Sequence, residues 1–126
     1  AFDWYGRQYD LLSNIALNMR LYHNPRCSKS RQAMALLQQH GADFEDYRYL
    51  EKGIPLDDMS ILLELSDLIR LNDIADKSEY DLSKKNEIQR LLQTEPKALQ
   101  RPILIHNGKA VIGRPPEDIL TLLHES

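Results

Sequence analysis

The stretch Met19 to Gly41, MRLYHNPRCSKSRQAMALLQQHG, decides how the chain is read. MRLYHN is short, has apolar residues in alternation and ends at an Asn-Pro pair, the pattern of a strand followed by a turn. From Ser28 the period changes. Ala33, Leu36, Leu37 and the stem of His40 fall near one stripe, and Gly41 supplies the left-handed stop that ends many helices. A strand, a turn and a helix in succession put Cys27 at or just before the first helical turn.

Downstream, DFEDYRYL (43–50) alternates as a second strand, with Phe44, Tyr47 and Tyr49 as its packing residues. A strand, crossover helix and second strand make a parallel pair. The segment 55–71, PLDDMSILLELSDLIRL, reads as a helix opened by Pro55, Asp57 and Asp58, with Leu56, Met59, Leu62, Leu63 and Ile69 on its apolar face. NDIADKSEYDLSKKN is polar and reads as a loop of irregular turns. EIQRLLQTEPKALQ then returns to helical spacing at Ile88, Leu91 and Leu92.

Near the end, ILIH and AVIG flank Asn107-Gly108, the pair that best tolerates positive φ in a tight hairpin. Pro115 and Pro116 lead into a last helix with Glu117 and Asp118 in its first turn and Ile119, Leu122 and Leu123 inside. The expected fold is α/β: a four-stranded mixed sheet flanked by helices, with a helical insertion at about 55–99 between the second strand and the hairpin. Residues 1–18 show no convincing period and read as a leader or added extension ahead of a domain at 19–126. The alternative is an authentic arm whose aromatics dock on the domain or on a second copy.

Of 126 residues, 42% are hydrophobic and 28% charged, and no apolar run is long enough to span a membrane. A net charge of -3 offers no basic field to hold nucleic acid. The single cysteine rules out an internal disulfide, and the N-terminal stretch lacks the pattern of an export signal. The cytoplasm is the expected compartment, and neither a metal nor a bound cofactor is expected.

Backbone N–H groups at a helix start have no partner within the helix, so they stabilise a thiolate and would hold an oxyanion against it. Arg31 lies one turn along the helix and Arg26 is adjacent, and either adds positive charge. His23, across the loop, is placed to hydrogen-bond the thiolate or to fix the loop's shape. Ser30 stands where a Cys-x-x-Cys pair would have its second thiol. It cannot resolve a mixed disulfide, though its hydroxyl could donate to the sulfur. Arg101 precedes Pro102 at a strand start, where the peptide bond has access to the cis form, and Arg114 precedes the double proline. Both guanidiniums sit at strand ends, where parallel sheets gather ligands, and their planar forks suit tetrahedral oxyanions.

HNPRCSKSR, RPILI and IGRPPE, in that order, resemble the glutaredoxin-coupled arsenate reductase family, especially its arsenate-reductase-like bacterial branch. The likeness extends from Met19 to Leu123. It implies a thioredoxin-like fold with a helical insertion, Cys27 as the nucleophile towards arsenate and His23 as the stabiliser of its charge. It also implies Arg101 and Arg114 as holders of the oxyanion and product, and Arg70 in LIRLND as a further family arginine. Glutathione would serve as co-substrate and glutaredoxin as partner, so one protein cysteine suffices. Ser28-Lys29-Ser30 departs from the Gly-Thr-Ser of the arsenate-detoxifying members. Two other expectations remain beside arsenate reduction: a glutathione-dependent disulfide reductase or deglutathionylating protein, and an Spx-like regulator that binds RNA polymerase.

Overall fold

The computed structural model describes residues 19–123, together with the backbone of Phe2–Asp3 and Gly6–Arg7, which pair antiparallel. The expectation of a leader or docking arm otherwise falls on residues outside those described.

Strand β1 (Arg20–Tyr22) runs parallel to β2 (Glu45–Tyr47), and helix α1 (Ser28–Gln39) crosses between them. After β2 come the short helices α2 (Tyr49–Lys52) and α3 (Leu56–Leu62), irregular turns, and helix α4 (Lys85–Thr94). Strands β3 (Ile103–His106) and β4 (Lys109–Ile112) form the hairpin, and α5 (Leu120–Leu123) ends the described chain. The spatial order is β2-β1-β3-β4, with β3 antiparallel to both neighbours, which is the expected mixed sheet.

The central strands are covered on both faces. Leu21 and Leu104 pack with Ala33 and Leu37 of α1 and with Ile119 and Leu122 near the C-terminus. Tyr22, Ile103 and Ile105 face the insertion, where Met59, Leu62, Leu68, Leu92 and Leu99 complete the second layer. Burial on both faces lets Leu21 and Tyr22 both be apolar in sequence, blurring the strand's alternation. The insertion is also tied down by a buried carboxylate. Asp58 of α3 accepts hydrogen bonds from Tyr22 Oη at 2.5 Å and Arg20 Nη1 at 2.6 Å.

Three expected elements change in extent. The second strand is only three residues long, and Tyr49 opens α2 instead of extending β2. The Arg48 guanidinium folds back onto Asp46 with two bonds of 2.8 Å, and Tyr49 turns fully inward. Tyr47 and Tyr49 enter the same apolar layer, so their spacing imitates a strand. The helix expected over 55–71 stops at Leu62, and Asp67 then takes a left-handed φ of 56°. Beyond it the backbone is extended, with Ile69 bridged to Leu99, the Arg70 N–H donating to Ala98 O and the Gln100 N–H to Leu68 O. The last helix starts as a 3-10 turn, Pro116–Ile119, before α5.

The two expected left-handed turns are present. Gly41 has φ 67°, and Asn107 and Gly108 have φ 53° and 76° in the hairpin. Among the described residues no helix is long and apolar enough to cross a membrane.

Candidate active site

Cys27 occupies the N-cap of α1, with extended backbone angles of φ -96° and ψ 123°. At this position a Ser or Asp side chain would accept from the second or third helical N–H, and here a sulfur stands in that place. No conventional capping bond closes, yet the N–H groups of Ser30 and Lys29 stabilise the thiolate. No acidic residue occupies the first turn to compete for them.

The turn before Cys27 is held by Asn24, which is buried. Its side-chain oxygen accepts from the Arg26 N–H at 3.0 Å, and its carbonyl accepts from the Cys27 N–H at 2.9 Å. Its own N–H donates to Ser30 Oγ at 3.0 Å. Ser30, also buried, lies 2.6 Å from His23 Nδ1. Because Ser30 Oγ already accepts from Asn24, its proton is available for Nδ1, which suits a neutral imidazole. Burial indeed holds the His23 pKa below its ordinary value.

His23 therefore touches Ser30 and not the sulfur, and of its two expected positions the structure shows the one that shapes the loop. The Ser30 hydroxyl is engaged in that linkage, and the residue serves Cys27 through its backbone N–H. Arg31 is exposed and donates to Pro25 O at 2.9 Å, bracing the turn rather than reaching the thiol.

The distant arginines do converge on Cys27. Arg114 Nη2 lies 3.7 Å from Sγ, while its Nε donates to Arg101 O at 2.8 Å. Arg101 contributes a hydrogen bond and positive charge to the thiolate, and its Nη1 donates to Lys97 O and to Asp73 Oδ2. Arg70 is one step farther out. It donates to the same Asp73 oxygen at 2.7 Å and to Gln100 Oε1 at 3.2 Å, so one carboxylate holds two guanidiniums in place. The Arg101–Pro102 and Arg114–Pro115 peptide bonds are both cis.

Partial burial is the largest single influence on the Cys27 pKa and pushes it up. The Ser30 and Lys29 N–H groups and the Arg101 guanidinium together outweigh it, so the pKa lies below the ordinary thiol value. A half-buried sulfur with N–H groups on one side and guanidiniums on another is equipped for nucleophilic attack on an anionic centre. Among the described residues no cluster of His, Cys, Asp or Glu could hold a metal ion.

Asp73, Asn24 and Gln100 were not singled out from the sequence. Asn24 was recognisable only as part of an Asn-Pro turn. Asp73 has one local partner, Arg70 three residues before it, but its link to the site runs through Arg101, which the Ile69–Leu99 bridge brings alongside from a distant part of the chain.

Residues 22–122 match the model of the ArsC family. The chain is 35% identical over 115 residues to an arsenate reductase of Neisseria meningitidis serogroup A, covering 83% of this chain and 97% of that protein. It is 37% identical over 118 residues to the uncharacterized protein YfgD of Escherichia coli K12, covering 83% and 96%. Among solved structures, an arsenate reductase from Vibrio cholerae superposes with a TM-score of 0.67 at 30% identity, covering 83% of this chain and 97% of that one. That agreement includes the four-stranded mixed sheet with its helices, so the fold is thioredoxin-like and the chain belongs to the ArsC family.

Proposed function

We propose that the protein is a thiol-dependent oxidoreductase of the arsenate reductase type, with Cys27 as nucleophile and arsenate or a related oxyanion as substrate. The observation that carries this reading is the placement of the Cys27 sulfur between the N-terminus of α1 and the guanidiniums of Arg101 and Arg114. Family membership supports it, since relatives at 32–35% identity are named arsenate reductases.

In the proposed reaction the Cys27 thiolate attacks arsenic(V) and one arsenate oxygen leaves as water. Glutathione then adds its sulfur to arsenic, and a second oxygen leaves as water. A glutaredoxin thiolate attacks the glutathione sulfur and forms a mixed disulfide. The electron pair of the broken sulfur–arsenic bond stays on arsenic, which becomes arsenic(III). Hydrolysis of the bond to Cys27 releases arsenite and restores the thiolate. Arg101 and Arg114 hold the oxyanion, Arg70 steadies Arg101 through Asp73, and His23 with Ser30 keeps the loop in shape. Arg31 braces that loop from outside. The reaction places the protein in a reducing, glutathione-containing compartment such as the cytoplasm.

Purified protein supplied with arsenate, glutathione, glutaredoxin and their reducing system should oxidise NADPH, and Cys27→Ser should abolish this. Turnover that survives the substitution would overturn the assignment. If glutathionylated protein is turned over while arsenate is not, the disulfide-reductase alternative takes its place.

Relatives also include the global transcriptional regulator Spx of Lactiplantibacillus plantarum, 26% identical over 112 residues. With Ser30 opposite its only cysteine, this chain cannot form a Cys-x-x-Cys disulfide, which argues against a redox-switched regulator.

A further inference from the structure

The Tyr49 phenol is not used by the chemistry described so far. Tyr49 is fully buried, and its hydroxyl proton has no acceptor. Most buried polar groups are paired, so an orphan donor in a well-packed layer calls for a reason. A second orphan is Arg101 Nε, also buried and without a partner. Both belong to the same neighbourhood: α2 packs against the turn Pro96–Ala98 that leads into Arg101, the charges acting most on the phenol are those of Arg101, Cys27 and Arg70, and the Arg101 guanidinium also donates towards the phenol oxygen.

The ring itself is firmly placed. It stacks on Tyr22, with centroids 5.7 Å apart and planes 23° from parallel, inside the layer that holds Met59, Leu62 and Ile103. Burial pushes the Tyr49 pKa up to about 12, so the phenol keeps its proton and acts as a donor at neutral pH. Tyr49 Oη and Arg101 Nε are thus two O–H or N–H donors that lack an acceptor within the protein, in a neighbourhood where the charge of Cys27 is felt. The chemical group that satisfies both is an oxygen of an anion.

We infer that Tyr49 is a further substrate-binding residue, whose O–H donates, together with Arg101 Nε–H, to the innermost oxygen of a tetrahedral oxyanion bound at Cys27. This rests on the oxyanion reading of the site. It adds a neutral donor to the charged arginines and gives the site a directional contact that a purely ionic clamp lacks. Nothing in the spacing around Tyr49 marks this role, because the residue reads as a strand position in a core.

Tyr49→Phe keeps the stacked ring and removes only the hydroxyl. Losing a buried hydroxyl whose proton has no acceptor costs the free protein little, so the melting temperature should change little. Binding is read from protection of Cys27 against iodoacetamide during titration with arsenate, sulfate or phosphate. Loss of a hydrogen bond to an anion should weaken the apparent Kd by about tenfold or more. In steady-state turnover, KM for arsenate should rise with it.

A Tyr49→Phe affinity within about twofold of wild type would overturn the inference while leaving the oxyanion site standing. Absence of protection in the wild type by any of the three anions would instead sink the oxyanion reading and the role of Tyr49 with it. A readout independent of the variant is wild-type protein carrying ¹³Cζ-tyrosine. Saturating arsenate should shift a buried tyrosine resonance, and a spectrum without any shift counts against the proposal.

Discussion

At the scale of single residues, the site is a contest at one sulfur. Burial works against the Cys27 thiolate, while the N–H groups of Ser30 and Lys29 and the guanidinium of Arg101 work for it, and they prevail. The rate of Cys27 alkylation with pH should therefore show a midpoint below the roughly 8.5 of a free thiol, moving back towards it in denaturant. Arg101→Gln should shift the midpoint upward, and a profile that does not respond to this substitution would contradict the assigned cause. Legibility at this scale was uneven. Cys27, Arg101 and Arg114 were marked in the sequence by a helix start and two Arg-Pro junctions. Tyr49 and Asp73 were not, because what makes them matter is a partner about 28 to 52 residues away in the chain, beyond the reach of local spacing.

At the scale of elements, the site is assembled where segments are pinned closely together. Gly113 shows how tightly: a Cβ there would lie 2.8 Å from Pro102 Cγ and 2.9 Å from Ile119 Cγ2, and the Gly113 N–H already donates to Pro102 O at 2.8 Å. Gly113 is thus the residue that lets the two arginine-bearing loops touch. Gly113→Ala should cost on the order of 1–3 kcal/mol of stability, as overpacking generally does, and should displace Arg114 from the sulfur. Urea melts and the alkylation midpoint of Cys27 measure the two effects separately. The hairpin and α1 were legible because each carries its own stop signal, at Asn107-Gly108 and at Gly41. The ends of β2 and α3 were not, since Tyr49 and the run after Leu62 keep an apolar rhythm that the backbone breaks for tertiary reasons.

Across the whole molecule, a ring buried near the site couples global stability to pH. The His23 pKa is depressed, so between its ordinary value of about 6.5 and its folded value the unfolded chain binds more protons than the native one. Stability from this source is fully present above about pH 6.5 and is lost as pH falls through the folded value. The carboxyl groups of Asp46 and Asp73, held down chiefly by Arg48 and Arg70, lose their contribution only in more acidic solution. Denaturant-derived unfolding free energies should therefore decline between pH 7 and 5, and His23→Gln should flatten that slope. An equally steep slope in the variant would place its origin elsewhere.

Asp73 also sets a charge balance for the site. Among the groups in contact at the sulfur and Asp73, three guanidiniums, those of Arg70, Arg101 and Arg114, stand against one carboxylate and the Cys27 thiolate, one positive charge in surplus within this set. Under the proposed function an incoming oxyanion meets an uncompensated charge of opposite sign. Arsenite is neutral at physiological pH, so the product would find no such attraction. The same three arginines would then gather substrate and let product go, with no change in protein shape required for release.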